Sequence, residues 1–365
     1  MNDKGSRESD GGPSCVDKSS HPIQKRGKRK INKETTTPED VDSENKLKEV
    51  LFSTMEKLYS QRKNGSKNTS SIAKSLNSQE KQSIISDSIN FVGLCDLARE
   101  FCQFINGCDF ILLKNDTESV VDIFNRVVRN TLEIPVLMKA LDTEFIIPPL
   151  STFMMSDLEY IGHILDGAKK YDLVVIDPPW NNKSAKRAKR YKSLSFNGIK
   201  SLPVPQVISD GSMVAIWVTN KKRIVDFVKG ELFPHWSLKM IAEWYWLKIT
   251  TAGDLVSDFD SVHKKPYERL LIGLHCNPDS NQMNVDAFQA TFPHQKVICS
   301  TPCRLHSRKP TLDDFFAGYL PSNPQCLELF ARNLLPGWTS WGNEVIKHQN
   351  TVYFQKEEKN VPKAE

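Results

Sequence analysis

Hydrophobic and polar positions change their spacing along this chain, and the changes predict where its regions begin and end. Residues 1–43 are rich in Ser, Lys, Asp and Gly and hold few apolar side chains, so we expect a disordered basic tail. From residue 44 apolar residues recur at helical spacing, as in Leu47, Leu51 and Met55. The same spacing returns in a later group, so we predict a small helical region over residues 44–144. That group comprises Val120, Val121, Phe124, Val127 and Val128.

Between residues 145 and 347, short apolar runs alternate with polar segments. The runs predict strands at residues 145–149, 173–176, 213–218, 244–249, 270–274, 297–299 and 326–330. Residues 311–320 begin with Thr and two Asp, a helix N-terminal signature. Strands alternating with helices indicate the α/β fold class, with a mostly parallel sheet and helices on both faces. Residues 348–365 are polar and predict a C-terminal tail, with one added strand at 351–354.

One stretch, Leu173-Val174-Val175-Ile176-Asp177-Pro178-Pro179-Trp180, organises this region. Its first four residues predict a fully buried strand of a parallel sheet. Asp177 follows at the carboxyl end of that strand, where ligands bind in open α/β sheets. Pro178 and Pro179 prevent both helix formation and further strand pairing. The sequence therefore predicts a stiff loop with an acid at its base and the indole of Trp180 at its tip.

Such a loop suits methylation of the exocyclic amine of adenine, whose lone pair is delocalised into the ring. The carboxylate of Asp177 and the carbonyl of Pro178 can accept the two hydrogens of that amine, which localises the lone pair for attack on a sulfonium methyl group. Positioning and electrostatics supply the remaining catalysis, and Trp180 offers a face on which the base can stack. The alternative is a buried strand ending at an ordinary Asp-Pro turn; the complete four-residue motif favours the catalytic interpretation.

Asp177-Pro178-Pro179-Trp180 after a hydrophobic strand resembles the signature of the adenine-N6 methyltransferases typified by the catalytic subunit of the mRNA adenosine methyltransferase. A second block, residues 328–344, resembles the cofactor segment of that family. Residues 182–184, 217–220 and 263–268 match the methyltransferase-like-four subfamily best in detail. The resemblance covers residues 145–347 and implies a Rossmann-like methyltransferase domain that uses S-adenosyl-L-methionine.

The resemblance also implies cofactor-binding residues in the second block. Arg332, Asn343 and Glu344 match polar positions of the family's cofactor segment, and Asn333 beside them is a further candidate. The loop from Arg332 to Pro336 is shorter than in the mRNA enzyme, so contacts made by the middle of that loop do not transfer. No Gly-x-Gly occurs in the chain, which argues against a dinucleotide fingerprint or a phosphate-cradling loop.

Two further parts of the cofactor site come from the same resemblance, and the charge of Asp177 suggests a third. Lys309 resembles the lysine that meets the carboxylate of the cofactor. Ser156, Asp157 and Leu158 resemble the segment that holds its adenine, although Ser156 or Asp157 is equally well explained as a helix N-cap. Asp177 is also a cofactor candidate, since its carboxylate could touch the ammonium group of the cofactor.

A basic run follows the signature directly and predicts nucleic-acid binding. Six of the ten residues from 183 to 192 are basic and none is acidic, where a polynucleotide backbone would leave the active-site loop. Tyr191 could add stacking on a base. The alternative is a solvated basic face. The candidate residues are Lys183, Lys186, Arg187, Lys189, Arg190, Tyr191 and Lys192.

Composition adds limits on location and on metal binding. The 365-residue chain has a net charge of +5 and eight scattered cysteines, which favour reduced thiols in the nucleus or cytosol. The run KRGKRK at residues 25–30 resembles a nuclear localisation signal, although solvated basic tails are common. We expect neither a signal peptide nor a membrane span. Cys299, Cys303, His306 and His294 suggest zinc, but without a second tight pair we expect no metal.

These observations predict an S-adenosylmethionine-dependent enzyme that forms N6-methyladenine in nucleic acid, with the target base flipped out or already single-stranded. The resemblance favours RNA adenosine, and the subfamily implies small nuclear RNA with 2′-O-methyladenosine as one candidate target. DNA adenine is the alternative substrate. A non-catalytic nucleic-acid-binding subunit is the alternative of a different class, although such subunits lack the signature acid. The sequence neither requires nor excludes a partner subunit.

Overall fold

The computed structural model describes residues 37–64, 94, 109–114, 120–124, 126–157, 169–181, 193–261, 264–276, 282–303 and 308–354. The chain divides into two compact units, residues 1–47 and 48–365. Helix α1 (Pro38–Asn64) contains this boundary. Thr37 and Asp40 cap the start of α1 reciprocally, because each side chain accepts a hydrogen bond from the backbone N–H of the other. Most of the predicted basic tail, with the basic run at 25–30, lies outside the described residues.

Twelve strands are described, and ten of them form one sheet. They are β1 (Asp109–Leu112), β2 (Arg126–Arg129), β3 (Val136–Ala140), β4 (Thr143–Ile147), β5 (Thr152–Met154), β6 (Tyr171–Ile176), β7 (Ile208–Val218), β8 (Leu238–Lys248), β9 (Tyr267–His275), β10 (Val297–Ser300), β11 (Cys326–Leu329) and β12 (Thr339–Trp341). The order in the large sheet is β1-β2-β5-β12-β11-β6-β7-β9-β8-β10, and β3 pairs with β4 in a hairpin.

Most neighbours in the large sheet run parallel. Among the described strands, antiparallel pairing is confined to β2 with β5, β7 with β9, and β8 with β9. Strand β6 lies in the middle, parallel to β11 on one side and to β7 on the other. All seven strand predictions between residues 145 and 347 are confirmed, with some bounds shifted. The α/β class with a mostly parallel sheet is therefore confirmed.

Apolar cores lie on both faces of the sheet because β6 alternates its side chains between them. Val174 and Ile176 join one core, whereas Leu173 and Val175 join the other. Residues of α2 (Phe196–Lys200), α3 (Val204–Val207), α4 (Lys222–Phe227), a π-helical turn (Val228–Leu232) and α5 (Phe233–His235) pack in the first core. Residues of α6 (Gln282–Thr291) and α7 (Asp313–Phe316) pack in the second. No helix in the described ranges is long and apolar enough to cross a membrane.

The prediction of a helix through Val120–Val128 was wrong. Residues 126–129 form β2, which is parallel to β1 and antiparallel to β5. Val120 and Phe124 make isolated strand bridges. Valine has a stiff, β-branched side chain that suits a sheet, and pairing with two neighbours outweighs the apparent helical spacing. Part of the region predicted to be helical therefore belongs to the sheet.

The C-terminal residues also differ from the prediction. Residues 351–353 form a 3₁₀ turn rather than a strand. His348, Gln349 and Asn350 are buried, although they were predicted to begin an exposed tail. Gln349 Nε2 donates to the Ile146 carbonyl at 2.7 Å, and Asn350 Nδ2 donates to Thr143 Oγ1 at 2.9 Å. Hydrogen bonds to the β3–β4 hairpin thus allow polar side chains to be buried here.

Candidate active site

Asp177 lies at the carboxyl end of β6, as the sequence predicts. Its backbone N–H donates to the Leu329 carbonyl at 3.4 Å, which extends the pairing of β6 with β11 to this residue. The loop then turns tightly, since the Trp180 N–H donates to the Pro178 carbonyl at 2.7 Å. The Pro179 carbonyl accepts from the Leu194 N–H at 3.2 Å. The second lone pair of the Pro178 oxygen remains for another donor.

Two cations contact one oxygen of the Asp177 carboxylate. Lys309 Nζ lies 2.8 Å from Asp177 Oδ2, and Arg332 Nη1 lies 3.6 Å from the same atom. The three side chains are each only 15% exposed, so water screens these charges little. Within the described part of the chain, no hydrogen bond or ion pair engages Asp177 Oδ1. The carboxylate is therefore fixed through one oxygen while the other is left for a ligand.

A second acidic residue holds Lys309 from the far side. Glu268 Oε2 lies 3.3 Å from Lys309 Nζ, and Lys248 pairs with the other oxygen of Glu268. Burial alone would lower the pKa of Lys309, but the carboxylates of Asp177 and Glu268 outweigh it and raise that pKa. Burial alone would raise the pKa of Glu268, but Lys309 and Lys248 outweigh it and lower that pKa. Lys309 and Glu268 are thus both charged at neutral pH.

Arg332 is positioned by a turn that follows β11. Phe330 adopts φ +61°, a left-handed conformation that is strained for a non-glycine residue. The backbone of Ala331 then packs against Gly342, where an added Cβ would lie 2.5 Å from the Ala331 carbonyl oxygen. Arg332 Nε donates to Glu344 Oε2 at 3.0 Å, so its guanidinium links the turn to the residues after β12. Glycine at 342 permits this close approach of two backbones.

An open cavity lies beside these charges, at the carboxyl ends of β6 and β11. After β6 the chain continues into β7 on one side of it, whereas the later strand β11 lies on its other side. The cavity therefore lies where the strand order reverses. Its lining comprises Asp177, Arg308, Lys309, Pro310, Thr311, Glu328, Phe330, Arg332, Asn333, Leu335 and His348.

Two titratable residues of this lining were given no role from sequence. Burial and the nearby charge of Asp177 raise the pKa of Glu328 to about 8. Burial and the cations around it, Arg308 first, lower the pKa of His348 to about 3, so its ring is neutral. Both ring nitrogens of His348 are buried without a hydrogen-bond partner. A glutamate inside a buried strand was a readable signal for Glu328, whereas His348 was predicted to lie in a tail.

The prediction that Trp180 presents an exposed stacking face was wrong. Its side chain is 4% exposed and belongs to the first core. The indole Nε1 donates to the Trp217 carbonyl at 2.8 Å, and the ring meets Phe196 and Phe227 edge to face. The loop is short and turns back at Pro178, so the indole reaches the gap between β7 and the helices instead of solvent. Trp180 therefore anchors the loop.

The remaining predicted cofactor residues stand at different distances from the cavity. Glu344 contacts Arg332 behind the lining. Asn343 is partly buried next to Glu344, and neither it nor Ser156 or Asp157 is among the described lining residues. Ser156 is fully buried, with its hydroxyl donating to the Asp157 carbonyl at 3.2 Å. Leu158 and the whole basic run from 183 to 192 lie outside the described residues.

No group of three or more His, Cys, Asp or Glu side chains is arranged to hold a metal ion in the described ranges. Cys299 lies in β10, where burial raises its pKa, and His294 Nδ1 contacts the Ile241 carbonyl at 3.0 Å. Cys303 is exposed, and His306 lies outside the described residues.

The sequence of this chain is similar to those of proteins named as adenine-N6 methyltransferases. A family model described as MT-A70 matches residues 171–344. The mouse protein named N(6)-adenine-specific methyltransferase METTL4 is 41% identical over 273 residues, which cover 73% of this chain and 58% of that protein. The N6-methyladenosine RNA methyltransferase MTA1 of Pyricularia oryzae is 35% identical over 225 residues, 59% of this chain and 58% of that protein.

A third relative differs in its named substrate. The protein of Caenorhabditis elegans named DNA N6-methyl methyltransferase is 34% identical over 216 residues, which cover 59% of this chain and 56% of that protein. The chain thus spans somewhat more than half the length of each of these relatives.

Proposed function

Residues 171–344 belong to the MT-A70 family, and from this premise we propose that the protein transfers a methyl group from S-adenosylmethionine to the exocyclic amine of adenine in nucleic acid. The observation that carries the proposal is the Asp177 carboxylate, which stands at the carboxyl end of β6 on the wall of the cavity. Its charge is balanced by Lys309 and Arg332 through Oδ2 alone.

The residues of the loop act on the amine of the target base. Asp177 Oδ1 accepts one of its two hydrogens, and the free lone pair of the Pro178 carbonyl accepts the other. Withdrawing both hydrogens toward oxygen localises the nitrogen lone pair. Lys309 and Arg332 contact the carboxylate and hold its orientation, so no reorganisation is needed when the amine attacks. Trp180 contributes by fixing the loop through its bond to Trp217.

The lining of the cavity fits S-adenosylmethionine, which when bound supplies an electrophilic methyl group on a sulfonium. Arg308, Lys309 and Arg332 provide positive charge for its carboxylate. Asn333 and the neutral ring of His348 suit hydroxyl groups, and a ligand would satisfy the unpartnered nitrogens of that ring. The second group of residues predicted for this cofactor, Ser156 to Leu158, is proposed to act at the edge of the site.

We infer that the substrate is RNA adenosine, with a small nuclear RNA and a 2′-O-methylated adenosine as the specific target. The mouse relative is named adenine-specific, and the Pyricularia oryzae relative is named an N6-methyladenosine RNA methyltransferase. Both names support adenine as the target base, and the second also supports RNA as the substrate. DNA is kept as the second substrate because the worm relative is named for it. A paired adenine is inaccessible to Asp177, so the enzyme acts on an unpaired or flipped base.

A non-catalytic nucleic-acid-binding subunit is the competing function. Such a subunit does not need a buried carboxylate that two cations balance. Burying these charges costs desolvation energy, and a subunit without catalysis gains nothing in return. The intact Asp177 signature and the open cavity therefore favour catalysis. Calorimetric titration with S-adenosylmethionine separates the two functions, because only the enzyme requires the cofactor.

The decisive experiment is labelled-methyl transfer to matched RNA and DNA oligonucleotides, followed by nucleoside mass spectrometry. We expect label in N6-methyladenosine, with RNA preferred. Asp177→Asn should lower turnover by more than about 100-fold, because a single electrostatic contact in a preorganised site is worth that much. Asp172→Asn is the matched control, since Asp172 lies at the opposite end of β6 and accepts the Gln325 N–H, a role that Asn retains. Label on cytosine or on protein would end the adenine hypothesis.

We also propose a nuclear location, supported by the basic run at residues 25–30 and by the RNA substrate. A fluorescent fusion should concentrate in the nucleus, and replacing the five basic residues of that run by Gln should spread it into the cytosol. Unchanged nuclear accumulation in the variant would remove the run as the signal.

A further inference from the structure

A cluster of positive charge follows β7, and the proposed mechanism has not used it. Lys221, Lys222 and Arg223 are consecutive and all three are exposed. We call them the basic cluster. They were not among the residues predicted to bind nucleic acid, which all lie between positions 183 and 192. A run of three cations is most often a solvated surface, so its meaning depends on where it lies and what it contacts.

The basic cluster lies at the same edge of the sheet as the catalytic loop. β6 and β7 are parallel neighbours, with Ile176 level with Ile216, so both strands end on the same side. Lys221 Nζ donates to the Asn181 carbonyl at 3.1 Å, immediately after the signature tryptophan. The basic cluster therefore lies beside the loop that carries Asp177.

The guanidinium of Arg223 is positioned by an aromatic contact and can bind an anion. Its guanidinium lies 4.9 Å above the ring of Phe196, and that ring stacks on Phe227 with centroids 3.9 Å apart. No carboxylate of the described residues forms an ion pair with Arg223. Contact with the ring limits the freedom of the guanidinium, which reduces the entropy lost when its N–H groups bind phosphate.

The other cations on this face differ from Arg223 because carboxylates balance them. Lys200 pairs with Glu231 at 2.7 Å, and Lys229 pairs with Glu243 at 2.6 Å. Lys222 lies 3.8 Å from Asp226, a long and exposed contact of little energy. Among these cations, Arg223 is thus the one that no carboxylate of the described residues pairs with.

We propose that Lys222 and Arg223 bind backbone phosphates of the single-stranded polynucleotide beside the target adenosine, while Lys221 ties this surface to the catalytic loop. The inference rests on the proposed function and names a surface that receives its substrate. Contacts to phosphate position the strand without reading its sequence. The cluster therefore supplies affinity and register, and the choice of adenine remains with the cavity.

The test measures binding of the full chain to a labelled single-stranded RNA by fluorescence anisotropy over a series of salt concentrations. Lys222→Gln/Arg223→Gln is compared with Lys170→Gln/Lys239→Gln. The control pair is also exposed and loses the same two charges, but it lies at the amino ends of β6 and β8, on the opposite edge of the sheet. Lys221 is left unchanged because its replacement would disturb the loop.

For single strands each lost phosphate contact lowers the slope of log affinity against log salt by about 0.7. We expect Lys222→Gln/Arg223→Gln to flatten the slope by about 1.4 and to weaken binding about tenfold at 0.1 M salt. The control should keep the wild-type slope and bind within about twofold. The loss should be equal for two RNAs of different flanking sequence, and calorimetric affinity for S-adenosylmethionine should not change.

Several outcomes would overturn the inference. An unchanged slope in Lys222→Gln/Arg223→Gln, with normal wild-type binding, removes the basic cluster from the substrate surface and leaves the proposed function intact. A polyglutamate peptide that competes as well as RNA would show the cluster to be a docking site for acidic protein. If the wild-type chain binds neither RNA nor DNA, the proposed function fails together with the inference. Arg223→Lys should keep the slope but lose affinity, since it retains charge without the guanidinium group.

Discussion

At the scale of single residues, the carboxylate of Asp177 is the group on which the site depends, and two cations contact it where water is largely excluded. Lys309 lies between Asp177 and Glu268, and Arg332 lies between Asp177 and Glu344. Removing one member would leave a buried charge without its partner, which is more costly than the pair is stabilising. The alternation of acids and bases therefore positions the site rather than strengthening the fold.

Glu328 should make the stability of the protein depend on pH. Its pKa in the folded chain is about 8, against an ordinary value of 4.5. Between these values the unfolded chain has lost the proton while the folded chain keeps it, so stability falls as pH rises. We expect Glu328→Gln to gain stability relative to wild type from pH 5 to pH 8, by at most about 1.4 kcal/mol per pH unit.

Urea unfolding at pH 5, 6, 7 and 8 measures this difference. Glu133→Gln is the control because Glu133 is exposed, and its stability relative to wild type should stay constant with pH. A constant difference between Glu328→Gln and wild type over the same range would show that Glu328 ionises normally in the folded chain.

Replacing Trp180 should act mainly on the stability of the fold, because its side chain is buried. Trp180→Ala removes a buried ring and should cost about 3–5 kcal/mol of unfolding free energy. Trp180→Phe keeps much of the ring but leaves the Trp217 carbonyl without its donor, and should cost about 1–3 kcal/mol. Urea midpoints of both variants check this order. Trp180→Ala with a wild-type midpoint would mean that the indole is not part of the core.

At the scale of elements, the turn between β11 and β12 brings the guanidinium of Arg332 to the carboxylate of Asp177. Phe330 reverses the chain through a left-handed conformation, and the Ala331 N–H donates to the Trp341 carbonyl at 3.0 Å. Gly342 lies directly against this turn. The backbone of Arg332 is therefore placed by this packing, while Glu344 and Asp177 contact its side chain.

Gly342→Ala should displace this turn. Its new Cβ would lie 2.5 Å from Ala331 O and 2.9 Å from Ala331 N, both backbone atoms that cannot move aside easily. We expect a loss of more than about 2 kcal/mol in unfolding free energy, with a weaker calorimetric affinity for S-adenosylmethionine. Gly318→Ala is the control, since a Cβ there meets nothing within 4 Å, and it should stay within about 0.5 kcal/mol of wild type. Equal stability of both variants would contradict the close packing.

At the scale of the whole molecule, the first residues of the chain should be dispensable only up to the cap of α1. A chain that starts at Thr36 keeps the reciprocal hydrogen bonds of Thr37 and Asp40, so it should unfold and transfer methyl like the full chain. A chain that starts at Glu44 lacks that cap and the first turn, and should lose about 0.5–2 kcal/mol of stability. Thermal unfolding followed by circular dichroism, together with turnover on a short RNA, compares the two. A large loss of turnover in the chain from Thr36 would assign the preceding residues a part in the reaction.

Several charged side chains of the molecule lie together at one edge of the sheet. Asp177, Lys309, Glu268 and the basic cluster all lie where the parallel strands end. A sheet of parallel strands collects such side chains at one edge because each strand is followed there by a loop. The small net charge of +5 is therefore a poor measure of the local field that a polynucleotide would meet.

Local pattern was sufficient to predict seven strands of the methyltransferase region and the place of Asp177, but it missed β5 and β12. A short run of β-branched residues has few alternatives to a buried strand, and two prolines must end it. The same reasoning failed for Val120–Val128, because apolar residues at positions 120, 121, 124, 127 and 128 satisfy a helical period although β2 finds partners in β1 and β5. Periodicity describes one segment, whereas a sheet depends on which other segment is available.

What the sequence alone determined is the acid at the end of β6 and the chemistry that such an acid, with a carbonyl beside it, can perform. Only the tertiary structure decided which charges meet it. Lys309, 132 residues further along the chain, contacts Asp177, and Arg332 reaches the same carboxylate because β11, which it follows, lies beside β6. The tertiary structure also decided that Trp180 is buried and that His348 faces the cavity. A side chain's environment is made by residues distant in sequence, and local spacing carries no information about them.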